Sequence, residues 1–360
     1  MLIAAIENFV LFSTVFTIAG FVVALALRHI TARRLWGRAD TTARLYTSII
    51  VTPPLAALWL IVAVFLPQFW LTPETFEAAH STPYHQFHLL GELTVSVEPT
   101  LSYAMFLFVV VTGAFAIWSN AAGSWRIARV VRRLDMNVPA PPAEQIALVN
   151  SIAARRNLAV GLVMTDYPLS FVWGIHRSKL ILSSGLLRTL TPEELTGVLE
   201  HESAHHERRD NLFKLLLSFC TYTSLAFPLS RLILRWRATE VETICDEAAV
   251  ARTSAPLELA EALVKLRRQT TIASGPAEPT ATSALVSGFV SGNALTFEYR
   301  VNRLLTLLDS SPDLTGNRTH HGKTLAGLAV SGALLTLAAI FVFAPLSIHH
   351  AAETLIELLK

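Results

Sequence analysis

The sequence predicts a mostly α-helical membrane protein that carries an α+β domain on the cytoplasmic side of the bilayer. Hydrophobic residues make up 52% of the chain and charged residues only 16%, a balance outside the range of ordinary soluble domains. About four stretches are long and apolar enough to cross the bilayer as helices, at roughly residues 6–27, 46–66, 101–118 and 325–346. Between the third and fourth stretches, helix-like and strand-like patterns alternate, which indicates a folded domain.

The distribution of arginine predicts how these helices are oriented. Arginine is concentrated between the first two stretches and again after the third, whereas the loop at residues 68–100 contains neither lysine nor arginine. Because basic residues favour the cytoplasmic side, the N-terminus and this loop should face outwards. Residues 1–119 then hold three membrane helices, residues 120–323 form the cytoplasmic domain, and residues 324–360 form a last helix with a short external tail.

The strongest chemical signal is the motif His201-Glu202-Ser203-Ala204-His205 in the cytoplasmic domain. It follows a helix start at Thr191–Leu195, where a proline and two glutamates suit the first turn. On a helix, His201 and His205 lie one turn apart on one face, so both can bind a single zinc ion. Glu202 beside them can act as general base on a water molecule. A solvated, charge-rich helix is the alternative explanation of the motif taken alone.

Glu242 and Asp246 make a zinc site the better interpretation. They are also one helical turn apart, so Glu242 can supply the third ligand and Asp246 can orient a ligand histidine, preferably His201. Glu240 competes for the place of third ligand, but it points from a different face of the helix. The sequence therefore predicts one Zn²⁺ per chain, bound by the two histidines of the motif and Glu242.

The two cysteines do not indicate a disulfide framework. Cys220 lies in an apolar stretch and is expected to be a buried small hydrophobic residue. Cys245 lies between Glu242 and Asp246, but it is predicted on another face of the helix and is therefore not counted among the ligands.

The apolar segment at residues 211–233 looks like a further membrane span but cannot cross and return. Only 36 residues separate His205 from Glu242, whereas two crossings with a turn need about 40. Since both ligands must reach one ion, the segment is predicted to form a re-entrant or interfacial hairpin that bends near Phe227-Pro228. A hairpin buried inside the cytoplasmic domain is the alternative.

Short strand patterns before the zinc helix predict where a peptide would bind. The apolar runs at 159–164, 171–174 and 179–182 are separated by turn residues, which is typical of a small sheet. An extended peptide can add to the edge of such a sheet, and this edge is expected near residues 170–176. The candidates for contacting the substrate or stabilising the oxyanion are His176, Tyr299 and Arg303.

Together these motifs resemble the BlaR/MecR-type antibiotic-sensing membrane metallopeptidases. The shared pattern falls between about residues 120 and 310, and it comprises Phe171-Val172-Trp173-Gly174, Ile181-Leu182, Gly185-Leu186-Leu187, Thr191–Leu195, His201–His205, Arg209-Asp210 and Glu242–Asp246 with Cys245. The zinc helix alone would also fit the Ste-type and HtpX-type membrane proteases. The short gap between the ligands and the Cys-Asp pair are more similar to the BlaR/MecR group.

The resemblance implies a zinc endopeptidase of the gluzincin class in the bacterial inner membrane, with its active site facing the cytoplasm. In the named members, acylation of an external penicillin-binding domain leads to cleavage of a DNA-binding repressor of the BlaI/MecI type and of the protein itself. Only about a dozen residues follow the last predicted span, so we expect neither that domain nor a covalent β-lactam adduct. The expected partners are a protein substrate such as this repressor, the lipid bilayer and a second copy in a homodimer. Direct nucleic-acid binding is not expected, because the net charge is only +2.

Two other functions are compatible with the same residues. A membrane quality-control protease of Ste or HtpX type would use the same chemistry on a broad range of substrates. A non-catalytic membrane receptor would use the zinc site only for stability. Glu202 argues against the receptor, because a structural zinc site does not need a base beside its ligands.

The predicted topology can be tested by labelling single cysteines from outside intact cells. In a background without the two native cysteines, we expect His80→Cys to react with a membrane-impermeant maleimide and Ala140→Cys to react only after lysis, because the two positions lie on opposite sides. Labelling of Leu225→Cys in intact cells would contradict the re-entrant hairpin.

Overall fold

The computed structural model describes residues 2–32, 39–62, 86–89, 93–132, 138–272, 286–288 and 294–309. Within these residues the chain forms two compact units. One contains the described residues up to Ala114 together with the segment Phe219–Trp236, and the other contains Phe115–Ser218 and the described chain from Arg237 onwards. Every residue of the predicted zinc site belongs to the second unit.

The first unit begins with two long helices, α1 (Leu2–Ala32) and α2 (Ala39–Leu60), which pack against each other. An antiparallel hairpin of β1 (Gln86–Leu89) and β2 (Leu93–Ser96) follows, and helix α3 (Val97–Arg132) begins directly after it. The sequence analysis treated residues 68–100 as a loop. Polar and apolar residues alternate in both strands, and this is the signal of a strand that it missed.

Two helical segments of the described chain are long and apolar enough to span a membrane, Phe9–His29 in α1 and Tyr103–Ala122 in α3. Both expose large apolar side chains such as Val22 and Leu107, as lipid-facing helices do. The second predicted span falls partly on α2, which contains two consecutive prolines, and the fourth lies outside the described residues. The structure supports an α-rich, membrane-associated protein, while the number of four spans stays a prediction.

The apolar segment at residues 211–233 belongs to a helical hairpin. Helix α7 (Asp210–Thr221) and helix α8 (Phe227–Thr253) are joined by a short turn at residues 222–226. The turn therefore lies directly before Phe227-Pro228, near which the sequence predicted the bend. Proline is tolerated in the first turn of a helix, because the hydrogen bond that it cannot donate would not be formed there.

The tip of this hairpin makes polar contacts with α1. Ser13 Oγ lies 3.2 Å from Thr223 Oγ1, and Thr14 Oγ1 accepts a hydrogen bond of 3.0 Å from the Leu225 backbone N–H. Both α1 residues lie inside the segment Phe9–His29, which is apolar enough to cross the membrane. Polar groups of the turn thus have partners among otherwise apolar helices, as backbone at membrane depth requires.

Contacts with α3 and with a later part of α1 also hold the hairpin. Thr112 Oγ1 of α3 donates a hydrogen bond of 3.2 Å to the Tyr222 carbonyl. Further along α8, the ring of Trp236 stacks on Phe21 at 5.9 Å, and the Arg28 guanidinium lies 4.8 Å above the same ring. The start of α8 therefore runs beside α1, while the re-entrant course of the hairpin stays a prediction.

The second unit contains a four-stranded mixed sheet with the strand order β3 (Ala159–Val163), β5 (Lys179–Ser183), β4 (Ser170–Trp173) and β6 (Val286–Gly288). Strands β3 and β5 are parallel and the other pairs are antiparallel. Strands β3, β4 and β5 are those that the sequence predicted. Strand β6 was not predicted, and it pairs with the part of β4 that was expected to be a free edge.

Helices pack around this sheet and close the main core. They are α4 (Ala143–Arg155), α5 (Ser184–Thr189), α6 (Pro192–Glu207), α9 (Pro256–Ile272) and α10 (Ala294–Asp309). Helix α6 begins with a capping box, in which Thr191 Oγ1 accepts the Glu194 N–H and the Glu194 carboxylate accepts the Thr191 N–H at 2.8 Å. Leu195 and Leu199 on this helix are fully buried in the core, so the helix is fixed both at its start and along its apolar face.

The hairpin contacts can be tested with two matched serine substitutions. We expect Ser13→Ala to lower the free energy of unfolding by about 1 kcal/mol, because it removes the bond between α1 and the hairpin tip. Ser119→Ala is the control, because the Ser119 hydroxyl bonds to the Ala116 carbonyl of its own helix. Thermal melting in detergent should show a lower melting temperature for Ser13→Ala only, and equal melting temperatures would contradict the contact.

Candidate metal centre

Helix α6 carries three residues of the motif into the interior of the second unit. His201, Glu202 and His205 are each at most 1% exposed to solvent. Burial of two imidazoles and a carboxyl group costs free energy unless each finds a polar partner or a metal ion. The contacts of these three side chains therefore decide what the centre can do.

Helix α8 brings Glu242 to the two histidines. Its carboxylate oxygens lie 3.6 Å from His201 Nε2 and 3.6 Å from His205 Nε2. The rings of the two histidines are perpendicular, with centroids 4.9 Å apart. The three groups each offer one ligand atom, and these atoms all lie within 4.8 Å of one another. The sequence placed the same three residues together.

The arrangement fits a zinc ion. Two imidazole nitrogens and one carboxylate form a set of three ligands that is typical of catalytic zinc. A zinc ion with three protein ligands has a fourth coordination position free for water or substrate. Within the described chain, the buried His205 Nε2 has no hydrogen-bond partner, and neither has Glu202 Oε2. A buried acceptor without a partner is costly, and a metal ion at His205 would remove that cost.

Each histidine of the proposed site contacts an aspartate through its Nδ1 atom. His201 Nδ1 lies 2.8 Å from Asp246 Oδ1, and His205 Nδ1 lies 2.8 Å from Asp210 Oδ2. These contacts direct the Nε2 atoms of both rings towards Glu242, as partners of metal-bound histidines commonly do. The sequence analysis proposed the contact of Asp246 with His201, and the distance that it requires is present.

The contact of Asp210 with His205 was not predicted. Arg209 has a φ of 55°, in the left-handed region, and this interrupts the helical conformation between α6 and α7. Asp210 then begins α7 and faces back towards His205. Asp210 is five positions after His205, and no helical spacing indicates such a contact, because a single residue outside the right-handed region produces it.

The structure also places Arg300 of α10 in the centre, and the sequence analysis did not select it. Arg300 is 2% exposed and forms two hydrogen bonds with Asp246, from Nε at 2.7 Å and from Nη2 at 2.8 Å. Its Nη1 lies 3.1 Å from Glu242 Oε2. Arg300 is 54 residues away from Asp246, so only the packing of α10 brings them together.

The three candidates for substrate contact have other surroundings. His176 lies exposed in the turn between β4 and β5, and Tyr299 is 46% exposed. Arg303 forms an exposed ion pair of 2.8 Å with Glu247. In the described structure no contact joins any of the three to the histidines or to Glu242. The neighbour of Tyr299, Arg300, is the residue of α10 that reaches the centre.

Ser170, the first residue of β4, contacts the proposed base. Its hydroxyl donates a hydrogen bond of 3.1 Å to Glu202 Oε1. One oxygen of the Glu202 carboxylate is therefore held by the sheet, while Oε2 has no hydrogen bond within the described chain. The sequence analysis included Ser170 in the expected peptide-binding edge but did not connect it to Glu202.

The carboxyl groups of the centre differ in their affinity for protons. Burial raises the pKa of Glu202, although both histidines oppose this shift. Burial is the largest influence on Glu242 and Asp246 and acts in the same direction, but Arg300 and the neighbouring histidines together outweigh it, so the pKa of Glu242 is lowered and that of Asp246 falls to about 2. Glu242 and Asp246 thus stay charged, while Glu202 binds a proton more readily. A raised pKa of this kind suits a carboxyl group that accepts and returns a proton during catalysis.

Cys245 lies closer to the centre than the sequence predicted. Its Sγ is 3.4 Å from His205 Nδ1, so its side chain faces the ligand histidine and the expectation of a separate face is wrong. Burial raises the pKa of the Cys245 thiol well above its usual value. Cys245, His205 and Asp210 together could offer ligand atoms to a second metal ion. Asp210 already bonds to His205, however, and lies 3.5 Å from the Arg208 guanidinium, whose positive charge disfavours a metal ion at this place.

Comparisons with known proteins agree with this chemistry. The family model described as BlaR1 peptidase M56 matches residues 13–288. A protease HtpX homologue from Thermococcus kodakarensis is 31% identical over 121 residues, which are 32% of this chain and 40% of that protein. A second, from Archaeoglobus fulgidus, is 37% identical over 87 residues, which are 22% of this chain and 26% of that protein. The chain thus spans less than half the length of these curated relatives, and the matches indicate a membrane metallopeptidase.

The metal centre can be tested by measuring bound zinc. We expect about one zinc per purified chain, and almost none in His205→Ala, because this substitution removes a ligand. Asp246→Ala and Asp210→Ala should weaken zinc binding by about 10–100-fold, since each releases a histidine ring from its orientation. Asp166→Ala is the control, because Asp166 is exposed and bonds to Arg188. An unchanged zinc content in His205→Ala would contradict the assignment.

Proposed function

We propose that this chain, which belongs to the BlaR1 peptidase M56 family, is an integral membrane zinc endopeptidase that cuts a cytoplasmic or membrane-proximal protein during signalling. One observation carries the proposal. A buried carboxyl group with a raised pKa, Glu202, stands beside two histidines and a glutamate that converge on one point. A structural zinc site would not need such a base, and this argues against a non-catalytic receptor.

The chemistry divides among four residues of the centre. His201, His205 and Glu242 would hold a zinc ion, which supplies Lewis acidity to a peptide carbonyl and to water. Glu202 takes a proton from the attacking water at Oε2 and later returns it to the nitrogen of the leaving amine. Its other oxygen stays bonded to the Ser170 hydroxyl, so the carboxyl group keeps its orientation through both transfers.

Strand β4 is the proposed platform for the substrate. It begins at Ser170, which contacts Glu202, and an extended peptide that took the place of β6 beside it would pass the catalytic base. The chain's own residues 286–288 pair antiparallel with residues 171–173 in this position. An extended segment of the protein thus lies where a substrate would bind, and this supports the protein itself as one of its substrates.

Family membership suggests a transcriptional repressor of the BlaI/MecI type as the other substrate. The arginine distribution supports a topology with about four spans, an external N-terminus and a cytoplasmic protease domain. In that topology, the centre faces the compartment that contains DNA-binding repressors. A bacterial inner membrane is the location that fits this arrangement.

A quality-control protease of HtpX type is the second candidate function. The observation in its favour is that the two relatives from Thermococcus kodakarensis and Archaeoglobus fulgidus are described as protease HtpX homologues. The two functions predict different products from the purified protein. A signalling protease should cut a BlaI/MecI-type repressor at one position and leave unfolded casein intact, whereas a quality-control protease should degrade casein at many positions.

The role of Glu202 can be tested by Glu202→Gln. We expect this variant to lose about 10²–10⁴-fold in peptide cleavage, because the amide cannot accept the proton of water. Zinc content and melting temperature should stay close to those of the unsubstituted protein, since the amide fills the same volume. Glu193→Gln, an exposed position on the same helix, is the matched control. Normal cleavage by Glu202→Gln would show that another group is the base.

A further inference from the structure

We propose that Arg300 is a positioning residue of the metal centre, which holds Glu242 and Asp246 in the arrangement that binds zinc. This inference rests on the proposed zinc site, but it concerns a residue outside the motifs that define that site. Arg300 comes from helix α10, whereas the ligands come from α6 and α8. The geometry therefore assigns a part of the centre to a third helix.

The contacts of Arg300 divide between a ligand and the partner of another ligand. Two of its nitrogens bond to the two oxygens of Asp246, at 2.7 and 2.8 Å, and the third nitrogen lies 3.1 Å from Glu242 Oε2. Asp246 in turn lies 2.8 Å from His201 Nδ1. One guanidinium group thus restrains the third ligand directly and the first histidine through one intermediate.

Charge repulsion explains why this restraint is needed. Glu242 and Asp246 are one helical turn apart on α8, and both are at least 94% buried. Two buried carboxylates at this spacing repel each other, and the repulsion is stronger than in water because the surroundings screen it less. Arg300 is the cation that contacts both of them. Without it, the carboxylates would turn away from each other, and the ligand Glu242 would leave its place opposite the histidines.

Packing of α10 fixes Arg300 independently of its ion pairs. Leu304, one turn further along the helix, is 1% exposed in the main core, and Phe297 and Val301 pack against that core. Replacement of the guanidinium should therefore leave the helix in place. The planar fork of arginine can bond Asp246 with two nitrogens and Glu242 with a third, whereas the single ammonium group of lysine cannot reproduce this pattern.

The test compares zinc affinity and stability in variants of the full-length protein in detergent. Zinc affinity is measured by competition with a chromophoric chelator, and melting temperature is measured with and without zinc. We expect Arg300→Met to weaken zinc binding by about 10–100-fold and to reduce the rise in melting temperature that zinc produces. Arg300→Lys should recover part of the affinity, because it keeps the charge but not the fork.

Arg252→Met is the control for the loss of a buried ion pair. Arg252 bonds to the buried Glu200 at 3.2 Å and to Glu207 at 2.6 Å, and neither carboxylate belongs to the centre. This variant should lower the melting temperature equally with and without zinc and leave zinc affinity unchanged.

Two results would overturn the proposal. One is an Arg300→Met variant with the zinc affinity of the unsubstituted protein. The other is a melting temperature that falls equally with and without zinc, as in Arg252→Met, because this would show a purely structural role. If Arg300→Met does not fold, the same comparison between Arg300→Lys and Arg300→Gln decides the question. Because zinc affinity is measured without a peptide, a protein that proves to have no peptidase activity would refute the proposed function without touching the role of Arg300.

Discussion

The burial of two imidazole rings on one helix is the constraint on which the rest of the second unit depends. His201 and His205 are almost completely inaccessible, and an imidazole in such a position needs a partner for each ring nitrogen. Asp246 and Asp210 take up one nitrogen of each ring at 2.8 Å. The remaining nitrogens then face Glu242. The pairing with aspartate therefore orients both histidine rings towards Glu242 as well as stabilising their burial.

These pairings explain why several helices must meet at one place. Asp210 begins α7, Glu242 and Asp246 lie on α8, and Arg300 lies on α10. None of these helices could shift along its axis without leaving a buried charge unpaired, and such a loss typically costs about 3–5 kcal/mol. The apolar core fixes the same helices through residues such as Leu195 and Leu304. Packing and polar contacts thus select the same arrangement.

The carboxyl groups of the centre show how surroundings separate the roles of one chemical group. Glu202 has histidines and a serine hydroxyl as neighbours, and burial raises its pKa. Glu242 contacts Arg300, which together with the two histidines lowers its pKa in spite of a similar burial. As a zinc ligand, a carboxyl group must stay deprotonated, whereas a general base must accept a proton and release it. The contact with Arg300 is therefore one difference in surroundings that separates the proposed ligand from the proposed base.

The sequence by itself determined the parts of this protein that depend on local periodicity. The spacing of His201 and His205, with Glu202 beside them, and that of Glu242 and Asp246 places each pair on one helical face, and the apolar runs between residues 159 and 182 predict strands β3, β4 and β5. Apolar runs likewise predicted α1 and α3 as membrane helices. Only the tertiary structure decided that Asp210 holds His205, that Arg300 and not Arg303 enters the centre, and that β6 covers β4. The first of these contacts depends on a single left-handed residue, and the others join residues about 50 to 120 positions apart in the chain. No periodic pattern in the sequence connects such residues, because their approach depends on how whole helices and strands pack.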